Sequence, residues 1–258
     1  MMGIERRALL ASGAAAALMA AAGVSAAPRR GGRLRAALSA DLFDQAVSCT
    51  LYENLTEIGA DGTLRGALAT DWTSEQDARV WYFSLRKDVI FHDETDFDAA
   101  TVALPFDLSV KDKHLIKISL ESPNPNLPYL LAHPGYGQRG ADGMGTGIYQ
   151  LQKLDKGRHF IANRLQEHWK SGRAGWFDSV EFVHFSSEAV RAEALRDGLV
   201  DVADINALDS YADPRDFQLI YSGPVHAFVA SQAISLPATV GKVWPLDNLR
   251  MSERWSAA

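Results

Sequence analysis

The chain has 258 residues, a formal net charge of −6 and a single cysteine, Cys49. That length holds one large domain or two small ones. The acidic balance excludes a nucleic-acid-binding role, and the lone cysteine excludes an internal disulfide, so the fold rests on its apolar core.

The first residues read as an export signal. Arg6-Arg7 precedes an Ala-rich apolar run that reaches Val24, and Val24-Ser25-Ala26 is a small-residue cleavage site. The paired arginines point to the twin-arginine route, with cleavage near Ala26 and delivery to the periplasm. Removal of the signal takes away Glu5, Arg6 and Arg7, so the mature chain 27–258 is more acidic still. The apolar run is shorter than the ~20 residues of a comfortable membrane span.

Along the mature chain, Arg29 to Arg33 is a basic, Gly-containing arm, and Leu34 to Leu38 reads as a first strand. Leu51 to Glu57 reads as a short helix or turn, with Tyr52 and Leu55 on one side, and Asp61-Gly62 is a tight turn between Ile58 and Leu64. Ser74 to Arg79 is a polar turn. Val80 to Leu85 alternates as a strand with aromatics on both faces, which predicts cover on both sides. Asp98 predicts the N-cap of a helix opening at Ala99. Lys117 to Leu120 reads as a strand, Leu127 to Leu131 as a short apolar helix, and Gly143 to Gly147 as a glycine-rich loop. Phe160–Ala162 and Val180–Val183 are strands. Ser187 to Arg196 is an amphipathic helix with Ala189, Ala192, Leu195 and Leu199 on one face, closed near Gly198, and Val200 to Ile205 is a strand. This alternation gives an α/β or mixed α+β class.

Six blocks fall in one order. They are the strand after Gly31-Gly32; Ala67-x4-Trp72 with Trp81-x-Phe83-x-Leu85-Arg86 and Phe91-His92-Asp93; Leu127-Pro128-Tyr129; Gly145-Thr146-Gly147-x-Tyr149; His168-Trp169 with Phe177-Asp178-x-Val180-Glu181-Phe182; and Ala194-Leu195-Arg196-x-Gly198 with Val200-Asp201-Val202-Ala203. In this order they resemble the family 5 extracellular solute-binding proteins, receptors that feed peptides, nickel and related solutes to ABC importers. The resemblance implies a class II periplasmic-binding-protein-like lobe with a mixed sheet, a small solute or peptide as ligand, an ABC permease and ATPase as partners, no cofactor and no catalysis.

The chain departs from that family in three places. Glu94 follows Asp93 where the family has glycine, so the turn there is expected to adopt another geometry. The segment between Val102 and Lys113 is short. The second lobe is expected to be largely missing, with residues 231–258 as a C-terminal tail. A lobe bared in this way implies an exposed apolar face, hence self-association, or an interaction or sensory protein that docks on a partner and no longer binds solute. A degenerate relic is the remaining alternative.

By position in the family, the remaining cleft wall includes the loop after the first strand, with Asp41, Leu42 and Phe43; the segment after the short helix, with His133 and Tyr136; and the loop carrying Gly145 and Thr146. An equal reading makes Phe43 and Tyr136 core residues and Asp41 a turn residue. Trp72, Trp81, Phe83 and Phe91 are expected in the core, His92-Asp93 in a structural turn, and Cys49 as a buried inert thiol. The seven histidines lack metal-ligand spacing, and neither a nucleophile elbow nor a phosphate loop occurs.

Overall fold

A computed structural model describes residues 30–59 and 63–205 in full, together with the backbone of two strands at 217–222 and 226–231. The expected signal, the Asp61-Gly62 turn and the C-terminal tail lie outside the described residues.

The first strand, β1 (Arg33–Leu38), runs straight into an α-helix, α1 (Ala40–Leu51). Next come a hairpin, β2 (Thr56–Ile58) with β3 (Leu64–Gly66), and four strands, β4 (Ala69–Glu75), β5 (Val80–Leu85), β6 (Asp107–Asp112) and β7 (Leu115–Ser119). A short helix, α2 (Leu127–Leu130), and two 3₁₀ turns lead to β8 (Tyr149–Asp155), β9 (His159–Arg164) and β10 (Ser179–His184). Helix α3 (Glu188–Arg196), β11 (Val202–Asp204), β12 (Phe217–Ser222) and β13 (His226–Ser231) follow.

The main sheet has the order β12-β13-β11-β1-β10-β9-β8. β1 pairs in parallel with both β10 and β11, while the other neighbours are antiparallel. Alternation along β1 sends its side chains to two cores. Leu34, Ala36 and Leu38 pack with Leu42, Phe43 and Ala46 of α1, whereas Ala37 packs with Ala192 and Leu195 of α3. The two helices therefore cover opposite faces of the sheet. Ser187 caps α3, its hydroxyl accepting from the Val190 N–H, and Gly198 closes the following turn at φ +70°.

A second sheet, β4-β5-β7-β6, is antiparallel and carries the third core, built on Trp81, Phe83, Leu85, Phe91, Phe97, Ile116 and Ile118. Trp72 packs against its edge. Of the aromatics expected in the core, Trp81, Phe83 and Phe91 are buried there and Trp72 is half-buried at its margin.

Several expectations need correction. Asp41, Leu42 and Phe43, expected in a loop after the first strand, lie instead in α1, because Leu42, Phe43 and Ala46 fall on one helical face and bury against the sheet. Tyr52 and Leu55 part company, one packing on the first core and the other lying inside the second-sheet core. β5 is fully covered on the Trp81–Phe83–Leu85 face alone; Tyr82 and Ser84 remain half-buried. Asp98 caps a single turn, accepting from the Ala100 N–H at 2.8 Å, and no helix follows. Leu199 is 63% exposed, since the chain leaves α3 at Arg196 before the next helical turn could bring it inward. Glu94 takes the left-handed conformation itself, at φ +67°, rather than another turn. The polar turn at 74–79 does form, with Gln76, Asp77 and Ala78 all at positive φ. Cys49 is half-buried against the first core.

Candidate functional site

β1 and β10 are adjacent and parallel, yet the chain leaves them for opposite faces, through α1 and through α3. That is a topological switch point. In open α/β sheets the crevice outside the carboxyl ends of the strands at such a point is the place a ligand occupies. Here it lies between Ser39-Ala40-Asp41 after β1 and Phe185-Ser186-Ser187 after β10.

Backbone and side chain together hold this rim. The Phe185 N–H donates to the Leu38 carbonyl at 3.0 Å, and the Phe43 N–H donates to the Ser39 carbonyl at 2.9 Å. Arg191 of α3, 4% exposed, reaches around the sheet end. Its Nη1 donates to the Phe185 carbonyl at 2.6 Å and its Nε to the Asp204 carbonyl at 2.7 Å, with the Asp204 carboxylate 3.7 Å from Nη2. One guanidinium thus pins the loop after β10 to the end of β11. His184 Nδ1 lies 3.0 Å from the Gly157 carbonyl, which makes Nδ1 the donor. Asp41, in the first turn of α1, is exposed and complements the positive end of that helix.

The rim is small and polar. Ala40, Asp41, Ser186 and Ser187 are exposed and Ser39 is half-exposed, with Val190 in the first turn of α3 as the one large apolar side chain exposed beside them among the described residues. Among the described residues, no exposed apolar face gathers at this rim.

Of the six residues expected to contact ligand, the rim receives Asp41 alone. Phe43 points the other way and is 1% exposed in the first core, a correction that follows from α1 being a helix. His133, Tyr136, Gly145 and Thr146 lie at the far end of α1, about 18 Å away along a 12-residue helix. His133 is exposed, and its Nδ1 accepts from the Gly135 N–H at 3.1 Å. Tyr136 is half-buried and packs at a tilt against Phe106, with ring centres 5.9 Å apart. A shallow depression at this end of α1 is lined by Cys49, Tyr52, Asn54, Glu57, Pro134 and Lys170 among others.

Gly145-Thr146-Gly147 is a buried belt rather than a cleft wall. The Gly147 N–H donates to the Leu51 carbonyl at 2.9 Å, closing the end of α1. A Cβ on Gly145 would stand 1.8 Å from the Leu51 oxygen, so only glycine allows this approach. His92 Nε2 meets the Gly147 carbonyl at 2.7 Å and His168 Nε2 meets the Thr146 carbonyl at 2.8 Å. His168 Nδ1 accepts from the Lys170 N–H, which leaves its Nε2 as the donor. The His92-Asp93 pair forms the expected structural turn, with Asp93 Oδ1 accepting from Thr95 Oγ1 at 2.6 Å.

Beneath the belt lies a buried charged group absent from the sequence reading. Glu53 Oε2 accepts from Trp169 Nε1 at 3.0 Å, and Lys170 bridges Glu53 at 3.2 Å and Glu57 at 2.7 Å. Burial pushes the Glu53 carboxyl up, but Lys170, His168 and Trp169 together outweigh it and hold the group at about 2. Burial holds His92 below the ordinary imidazole range.

Among the described residues no cluster of three His, Cys, Asp or Glu side chains is placed to share a metal ion, and no helix is long and apolar enough to cross a membrane.

Comparison with known proteins agrees with this architecture. Residues 63–219 match the family described as bacterial extracellular solute-binding proteins, family 5 Middle. The glutathione-binding protein GsiB of Salmonella paratyphi A is 28% identical over 190 residues, covering 61% of this chain and 37% of the relative. Its counterpart in Escherichia coli O157:H7 is 26% identical with the same coverage. The chain therefore spans about 37% of the length of these curated relatives. Among solved structures, the periplasmic binding protein AgaA in complex with agropinic acid, from A. tumefacien R10, superposes with a TM-score of 0.65 at 22% identity, over 73% of this chain and 48% of that one. DppA of Helicobacter pylori, in complex with the peptide STSA, gives 0.65 at 19% identity, over 75% and 51%. NikA of Brucella suis, in complex with Fe(III)-EDTA, gives 0.63 at 21% identity, over 75% and 49%. At these identities the structures establish the fold.

Proposed function

The chain belongs to the family 5 extracellular solute-binding proteins, and from that premise we propose that it holds a small solute or peptide at the carboxyl rim of its main sheet and serves an ABC permease and ATPase, without chemistry of its own. The observation that carries this reading is the switch point between β1 and β10, where α1 and α3 leave on opposite faces and open a polar crevice. Secretion to the periplasm through the signal at 1–26 is part of the same proposal. Asp41 is the residue carried forward from the sequence, as the anionic contact for an ammonium group of the ligand. The GsiB relatives suggest glutathione as the first solute to try, and the structural neighbours suggest short peptides and chelated metal ions.

The test is a thermal melt of the chain against glutathione, di- to oligopeptides and nickel complexes. A ligand at ~100 times its dissociation constant adds about 2.7 kcal/mol, a rise of roughly 5–10 °C for a domain of this size. One member of the panel is expected to give that rise, and Asp41→Asn to reduce it. A cooperative melt that no member moves would sink the proposal.

A further inference from the structure

The amino edge of the main sheet, where β1, β10 and β11 begin, carries an arginine cluster that the solute reading does not use. The loop between β9 and β10 brings Trp169 against the end of β5. Arg86 lies with Cζ 3.9 Å from the centre of the Trp169 ring, and Arg173 with Cζ 5.8 Å from the same centre. Arg86 spends Nε on the Ala67 carbonyl at 3.1 Å, and Arg173 spends one Nη on the Trp169 carbonyl at 3.4 Å. Neither guanidinium sits in an ion pair with a described residue, whereas neighbouring Lys170 is shared between Glu53 and Glu57. Burial is the main cause that holds Arg86 below its usual range and Arg173 adds to it, while Glu53, Glu57 and Asp88 act the other way. Arg30 extends the edge: it lies 5.5 Å from the Trp176 ring, with a terminal nitrogen 3.5 Å from where Gly172 would carry a Cβ.

A guanidinium is a rigid planar fork whose N–H groups match the two oxygens of a carboxylate or phosphate. Stacking on an indole fixes the plane of that fork before any ligand arrives. Beyond the two carbonyl bonds, the remaining N–H groups of both forks meet no acceptor among the described residues, which leaves them for an oxyanion from outside.

We propose that Arg86 and Arg173, held about Trp169, form a second binding site, for an oxyanion of the carboxylate or phosphate type. It is separate from the solute crevice, since β10 carries the chain about 20 Å from one edge of the sheet to the other. It therefore stands or falls independently of the solute reading.

The test uses the full chain labelled with ¹⁵N at the indole nitrogens. Inorganic phosphate and acetate are titrated separately at constant ionic strength, with chloride as the balancing salt. The Trp169 Nε1–H resonance is expected to move saturably with one of them, and the tighter of the two identifies the class. Arg173 is exposed, so Arg173→Gln should fold; it is expected to weaken that anion by about tenfold or more. Arg158→Gln, at the opposite edge, removes the same charge and should leave the titration unchanged. A melt in phosphate or acetate against chloride provides a second readout, with the gain present in wild type and lost in Arg173→Gln. A wild-type response no larger than that to chloride, or an Arg173→Gln response equal to wild type, would overturn the proposal.

Discussion

Lys170 Nζ lies 3.2 Å from Glu53 Oε1, and the two side chains are only 9% and 6% exposed. This ion pair joins the end of α1, where the chain turns toward β2, to the loop between β9 and β10. It thereby fastens that loop of the main sheet to the segment leading into the β2–β3 hairpin, beneath the Gly145–Gly147 belt. Removing one partner of a buried pair leaves a charge without compensation, at a cost of about 3–5 kcal/mol. Lys170→Met is expected to destabilise the chain by that order in chemical denaturation. The double variant Glu53→Gln with Lys170→Met should recover part of the loss, because neither charge is then stranded. If the double variant were no better than the single, the pair would not be the cause.

The same group sets the acid limb of stability. Glu53 is held at about 2 in the folded chain against 4.5 unfolded, so its contribution is present above pH 4.5 and is lost as pH falls from 4.5 toward 2. A shift of that size corresponds to about 3 kcal/mol. His92 acts in the same direction by another route: burial lowers its folded value beneath 6.5, so the unfolded chain takes the proton more readily and stability starts to fall as pH drops below 6.5. Denaturation midpoints measured from pH 7 to pH 3 should decline throughout. His92→Gln, which keeps a donor for the Gly147 carbonyl, should flatten the upper part of the decline and leave the lower part in place.

How much of this was legible in the sequence depended on whether the signal was local. Val80–Leu85 alternates large aromatics and is readable as a strand, and the Ala/Leu stripe from Ala189 to Leu195 is readable as an amphipathic helix. Helix α1 was missed although Leu42, Phe43 and Ala46 stand at helical spacing. Its polar residues Asp44, Gln45 and Ser48 break the stripe visually, and Ser39 gives no side-chain cap bond. The helix decides between the two readings that the sequence allows for Phe43, cleft wall and core, in favour of the core. The Glu53–His168–Lys170 assembly had no local signal at all, because its members come from distant segments and meet only once both sheets have packed. The arginines about Trp169 are of the same kind.

Glu94 sits at φ +67°, where the Cβ of an L-residue is crowded by roughly 1–2 kcal/mol. Its side chain is exposed, so it gains little in return. Glu94→Gly is expected to stabilise the chain by up to about 1 kcal/mol after the entropy cost of glycine is included, a rise of roughly 2–4 °C in Tm. Glu94→Ala keeps the crowded Cβ and should leave Tm close to wild type. Equal effects from the two substitutions would show that the side chain, not the backbone, sets the stability of this turn.

Gly145 and Gly147 make the opposite case, in which glycine is required by a neighbour rather than by φ. A Cβ at Gly145 would stand 1.8 Å from the Leu51 oxygen, and one at Gly147 would stand 2.4 Å from the Thr50 oxygen. Both obstacles are backbone at the end of α1, which cannot swing aside as a side chain would. Either the belt or the helix end must move, with loss of the Gly147 N–H to Leu51 carbonyl bond and of the two histidine contacts above it. Gly145→Ala is expected to cost about 3 kcal/mol or more, at the upper end of overpacking penalties. The check is chemical denaturation combined with amide exchange at Gly147. In Gly145→Ala the Gly147 amide should exchange faster than the strand amides of β10, because the damage is local to the belt. Protection lost uniformly across both sheets would instead mean that the belt holds the whole lobe together.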